Sequence, residues 1–151
     1  MHKMILAYQG FKRKISGQSA IPLLLMRLAL AYGFFETSSM KWAHIHDVAG
    51  WFAQLGIPAP TLNAYLSASM EAAGVVLLVL GLGTRLIAVP LMVIMVVAIR
   101  TVHWSNGFDA GNNGFEIPLY YLIMLLTLFI SGAGKWSLDA VWGKIYPRKI
   151  R

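Results

Sequence analysis

The sequence predicts an all-α membrane protein, a four-transmembrane-helix bundle with a short interfacial helix in the first outer loop. Three observations lead there. The 151-residue chain is 58% hydrophobic and only 13% charged, with a mean hydropathy of +0.63. Soluble domains are about 45–50% apolar and about 25% charged. Four apolar segments follow one another, and basic residues gather at the chain ends and in one tight turn, as flanks of membrane spans do.

The first segment runs from Ile21 to about Phe35 and the second from about Leu62 to Leu82. The third runs from Leu86 to about Val102 and the fourth from Ile117 to about Ser131. A crossing needs about 20 residues. The first and fourth are short, but residues 18–20 and 132–133 can extend them. No small-x-small cleavage site follows the first segment, because Phe34, Phe35 and Glu36 stand where one is needed. It therefore reads as an uncleaved helix. Only Gly83, Thr84 and Arg85 separate the second and third segments, which forces an antiparallel hairpin. Gly81 and Gly83 suit its turn. Pro90 and Pro118 are expected in the first turn or so of their helices, where a missing N–H costs little. In the first loop, Trp51, Phe52 and Leu55 have helical spacing and read as a short helix lying in the interface.

Lys and Arg set the orientation. The N-terminal tail, the Arg85 turn and the C-terminal tail carry most of them; the loop from Glu36 to Thr61 holds only Lys41. Both termini are therefore expected in the cytoplasm of a multi-pass inner (plasma) membrane protein. Residues 1–20 form a basic cytoplasmic tail, 21–135 the transmembrane domain and 136–151 an amphipathic, basic cytoplasmic tail. The lipid bilayer is the first expected partner, with a protein partner and self-association next. The net charge of +7 comes without an aromatic-interleaved basic face, so nucleic acid is not expected. With no cysteine, the chain offers no disulfide, thiolate or Cys-ligated metal.

Charges inside a span are costly and mark candidate sites. Arg27 lies roughly 13 Å from Glu36, and Glu71 roughly 15 Å from Thr61, so the two depths nearly coincide across antiparallel helices. The Glu71 face also carries Ala64, Ser67, Ala68, Gly74, Leu78 and Gly81, small enough for close helix approach. An Arg27–Glu71 ion pair is expected, either as a staple or as the floor of a ligand or proton site. Above it, Glu36, Lys41, Arg100, His103 and Glu116 are expected to line an outward-facing polar pocket. Lys41 and Arg100 suit a quinone oxygen or a peptide carboxylate, and His103 suits proton transfer. His44, His46 and His103 are candidate copper or zinc ligands, although His44 and His46, two residues apart, point different ways. Paired-His haem ligation is not expected, because His103 is the only His on an expected span, nor is a hydrolase triad, because no Ser stands in a nucleophile-elbow context.

Arg27, Gly33, Glu36 and Lys41, followed by Trp51-Phe52-x-x-Leu-Gly-x-Pro, resemble the start of a DoxX family protein. Glu71, Gly74 and the Leu-Gly-Leu-Gly-Thr-Arg run ending at Arg85 resemble that family's second helix and turn. Thr101-Val-His-Trp104 with Asn106-Gly107, and Gly132-Ala-Gly-Lys-Trp-Ser-Leu-Asp139, resemble in particular the HvfX-like branch, found beside genes for copper-binding modified peptides. The resemblance covers roughly Ile21 to Trp142. It implies a four-helix bundle with either of two roles: a redox- or quinone-associated membrane subunit, or a non-catalytic accessory for maturation or export of a metal-binding modified peptide. Quinone and copper are the cofactors those roles imply.

The charge bias makes a direct prediction. Reporter fusions should be active on the cytoplasmic side at Lys149 and on the periplasmic side near Ala59 and Asn112. A cytoplasmic signal at Ala59 reverses the orientation.

Overall fold

The computed structural model describes residues 20–145. The basic N-terminal tail, and the basic residues after Ile145, lie outside the described residues. The described chain is helical throughout its regular structure: α1 (Ala20–Ala43), α2 (Ile45–Gln54), α3 (Pro60–Leu80), α4 (Thr84–Ala98), α5 (Glu116–Ser131) and α6 (Leu138–Ile145). A π-turn at Ile99–His103 and a 3₁₀ turn at Trp104–Asn106 carry α4 onward.

Three helices are long and apolar enough to cross a membrane: Ala20–Ala43, Pro60–Leu80 and Thr84–Asn106. The fourth apolar helix, Glu116–Ser131, has 16 residues and covers about 24 Å, less than the roughly 30 Å hydrocarbon core. Their outward faces carry Leu25, Leu62, Val76, Leu86, Val93, Leu126 and Ile130, all exposed. An apolar exterior of this kind belongs in lipid.

The first helix corrects the sequence expectation: it continues two turns past Phe35, to Ala43. Nothing in Glu36–Ala43 breaks a helix, and Thr37 and Lys41 find a partner, Glu71, on the neighbouring helix. Pro90 is also deeper than expected, inside α4. The α3–α4 hairpin turns as its glycines suggest, with φ of +65° at Gly81 and +58° at Gly83.

The most extensive helix pairing is α1 with α3, followed by α4 with α5. Residues 3 and 4 apart make the α3 contact stripe: Ala64, Ala68, Glu71, Gly74 and Leu78 are buried. On α1 the matching stripe is Arg27, Leu30, Ala31, Phe34 and Ser38. Leu30, Phe34, Leu78, Leu91, Leu125 and Leu128 join these helices with α4 and α5 in one core. A smaller cluster seats α2 on α3 through Ile45, Val48 and Ala49 against Ala64 and Ala68.

Beyond α5 the chain folds back across the α3–α4 turn. Asp139 accepts hydrogen bonds from Gly83 N (2.8 Å) and Thr84 N (3.1 Å), satisfying free donors at the start of α4. The Asp139 N–H donates to Gly81 O at 3.0 Å. A Cβ on Gly81 would collide with Arg27 Nη1 and come within 2.6 Å of Ser137 Cβ. Gly81→Ala therefore combines a left-handed backbone with overpacking and should cost about 2 kcal/mol or more. Gly83→Ala has the same backbone problem but meets nothing within 4 Å, so about 1 kcal/mol is expected. Unfolding midpoints of the two variants in detergent check the difference.

Candidate functional site

Glu71 lies in the interior of α3 and is 1% exposed. Its Oε1 accepts from Lys41 Nζ at 2.5 Å, and its Oε2 accepts from Thr37 Oγ1 at 2.9 Å. Both donors stand one turn apart on the last part of α1. The lysine side chain is 13% exposed, so the pair is shielded from solvent on the carboxylate side and reaches the surface only through Lys41. Burying an isolated carboxylate is very costly; a cation and a hydroxyl together satisfy it.

The expected Arg27–Glu71 ion pair is not formed. Arg27 packs beside Gly81, roughly 15 Å along the α3 axis from Glu71. Depth counted from Glu36 as the helix end puts Arg27 level with Glu71. Because α1 runs to Ala43, the two helices align with Lys41 opposite Glu71 and Arg27 opposite the hairpin turn. Arg27 is 1% exposed, and its Nη2 donates to Trp136 O at 2.6 Å. Its Nε and Nη1 have no partner among the described residues. Asp139 attracts the guanidinium electrostatically.

Lys41 also lines an open groove of about 290 Å³ with Met40, His44, Asp47, Val48 and Trp51, where the end of α1 meets α2. Its walls are apolar except for the lysine and the rim residues His44 and Asp47. This is the lower end of small-molecule site sizes.

Of the five residues expected to share a pocket, only Lys41 lines this groove. Glu36 is exposed on α1 and accepts from Tyr32 Oη at 2.8 Å. His103 Nδ1 sits 2.8 Å from Asn113 O. Glu116 Oε2 accepts from Ala110 N at 3.1 Å and its Oε1 from Tyr120 Oη at 2.9 Å. His103 and Glu116 thus pin the 104–115 loop. Arg100 is exposed on the π-turn with no hydrogen bond or ion pair among the described residues. The candidate metal ligands are not gathered either: among the described residues no group of three or more His, Asp or Glu is placed to hold a metal. His44 Nδ1 lies 3.8 Å from Asp47, both well exposed.

Sequence reasoning missed Thr37 and the groove walls Met40, Val48 and Trp51. The signal was present: 27, 30, 34, 37 and 41 continue one helical stripe, which a helix ending at Phe35 truncates.

Removing either member of the buried pair should be expensive. Glu71→Leu or Lys41→Met leaves an unpaired charge and is expected to cost about 3–5 kcal/mol. The double variant Lys41→Met/Glu71→Leu should cost much less than the sum. Thermal unfolding of the four proteins in one detergent measures the cycle, and additive losses would refute the pairing.

The family model described as DoxX matches residues 22–104. An uncharacterized protein of Haemophilus influenzae is 35% identical over 140 residues, covering 87% of this chain and 89% of the relative. An uncharacterized membrane protein of Mycobacterium tuberculosis is 31% identical, covering 88% of each chain. The Bacillus subtilis protein named "Putative oxidoreductase CatD" is 30% identical, covering 76% of this chain and 80% of its own. No solved structure matches the chain.

Proposed function

The chain belongs to the DoxX family, and we propose that it is a redox- or quinone-associated inner-membrane subunit whose ligand binds in the groove over the Lys41–Glu71 pair. One observation carries this reading. A membrane-buried carboxylate is neutralised by a lysine that also lines an apolar-walled groove. A quinone headgroup is a planar apolar ring with carbonyl acceptors. Lys41 has three N–H donors and gives one to Glu71, which leaves donors for a carbonyl oxygen. Trp51 supplies a flat apolar wall, and His44 stands on the rim.

Because the sequence has no cysteine, this reading assigns any thiol or iron–sulfur electron carrier to a partner protein. The name of the Bacillus subtilis relative agrees with a redox setting. In this reading α5 is a fourth span, accommodated by flanking residues or local bilayer thinning. The α2 helix lies in the outer interface, and both termini are cytoplasmic.

A second reading has its own observation. The 104–115 loop presents Trp104 stacked on Phe115 (5.4 Å) and Phe108 against the same ring (5.5 Å), and Arg100 on the π-turn is exposed and has no partner among the described residues. An exposed aromatic ledge preceded in the chain by an exposed cation suits a peptide, as an HvfX-like accessory to a copper-binding modified peptide would need.

Quinone carried through purification tests the first reading. Trp51→Ala and Lys41→Met/Glu71→Leu should each reduce extractable quinone, the latter about 10- to 100-fold for a lost charge-assisted hydrogen bond. Arg100→Ala should leave it unchanged. Full retention in both groove variants refutes the quinone site. If Arg100→Ala instead impairs peptide maturation while quinone content is untouched, the accessory reading holds.

A further inference from the structure

The terminal helix α6 has an apolar stripe that the bundle does not cover. Leu138, Val141 and Ile145 fall within about 60° of one another around the helix, and they are 42%, 51% and 63% exposed. Trp142 lies on the same stripe by spacing. Asp139 and Ala140 are the residues of α6 that are partly buried, and they lie to one side of the stripe.

The position of this helix is fixed, not incidental. Asp139 is tied to Gly83 N and Thr84 N by its carboxylate and to Gly81 O by its own N–H. Ser137 Oγ accepts from Ala140 N at 3.2 Å and donates to Gly134 O at 2.6 Å. Arg27 holds the strand of chain leading in, through Trp136 O. Thr84 opens a span, so these bonds hold α6 at the level where that span leaves the hydrocarbon. At eight residues, the helix is about 12 Å long and cannot cross.

The exposed charges on this end, among the described residues, are basic. Lys135 precedes the helix, Lys144 lies in its last turn and Arg85 lies at the same turn; Arg148, Lys149 and Arg151 follow in sequence. Asp139 is the acidic residue of the segment, and its oxygens are already occupied.

We propose that α6 is a membrane-surface helix that binds anionic phospholipid. Its Leu138–Val141–Ile145 stripe enters the acyl boundary, and Lys135 and Lys144 meet the headgroup phosphates. The bilayer is the occupant that fits, because the stripe is anchored at a span end and flanked by cations. A second protein copy would bring its own Arg85, Lys135 and Lys144 against these.

The absence of native cysteine makes the test clean. Full-length Val141→Cys and Gly143→Cys, each spin-labelled, are reconstituted in vesicles of phosphatidylcholine with and without phosphatidylglycerol. Position 141 should be accessible to oxygen and shielded from a water-soluble nickel chelate, with 143, on the opposite side, showing the reverse. Native mass spectrometry should show phosphatidylglycerol retained over phosphatidylcholine. Lys135→Gln/Lys144→Gln should lower that preference about fivefold per lysine, without changing the fold, because both lysines are exposed. A label at 141 that stays in water, or one broadened by a second label in a protein dimer, overturns the proposal. So does a lipid preference that the lysine variants leave unchanged. None of these readouts depends on the groove or its quinone.

Discussion

A carboxylate in the interior of an apolar helix has to be neutralised by something its neighbours can reach, and Glu71 imposes this on the whole bundle. Only one register of α1 against α3 places Thr37 and Lys41 beside it. That register also puts Phe34 and Leu30 into the core with Leu78 and Arg27 beside Gly81. Small residues at Ala64, Ala68 and Gly74 allow the close approach that a short ion pair needs. Sliding one helix by a turn would strand a carboxylate and a guanidinium together, a penalty of several kcal/mol each. Packing alone is less discriminating among such registers, because lipid tails are as apolar as the side chains they replace.

The two ends of the α1–α3 pair solve the same problem differently. At the Lys41 end, the charge is matched by an opposite charge on the neighbouring helix. At the Arg27 end, it is matched by a backbone carbonyl, Trp136 O, brought in by the segment after α5. That segment is itself held by Asp139, which satisfies N–H groups at the start of α4. Gly81 makes this possible: its lack of a side chain leaves room for the guanidinium, and its left-handed backbone closes the helix. The Gly-Ala-Gly-Lys-Trp-Ser-Leu-Asp run is therefore a strap over the hairpin end of the bundle.

Much of this was legible in the sequence. Hydropathy placed all four apolar helices, and glycines placed the hairpin turn. The α3 contact face follows from small residues at helical spacing, and Ala64, Ala68, Glu71, Gly74 and Leu78 are all buried. What hydropathy alone does not give is where α1 ends, although the stripe 27, 30, 34, 37 and 41 carries it. Polar residues from Glu36 to Lys41 resemble the start of a loop, since hydropathy cannot distinguish a solvated polar turn from one whose polar groups are spent on a neighbour. That single misplaced boundary moved the partner of Glu71 from Lys41 to Arg27. The scattered pocket has a related cause. Equal depth in the membrane does not bring residues to the same side of a bundle, and His103 and Glu116 hold the 104–115 loop together instead of facing the groove.

The distribution of costly polar groups narrows what chemistry this chain can perform unaided. Arg27 is enclosed, Glu71 is enclosed, His103 lies against a backbone carbonyl, and Glu116 accepts from a backbone N–H and from Tyr120. Lys41 alone among these connects a buried charge to an open apolar groove. A ligand carbonyl that takes up a free Lys41 donor meets an ammonium already compensated by Glu71, so it binds a donor of nearly neutral local field. That arrangement favours a polarisable neutral acceptor over a free anion, which would face the Glu71 carboxylate as well as the lysine. A planar carbonyl ring carried in the bilayer fits this better than a soluble carboxylate.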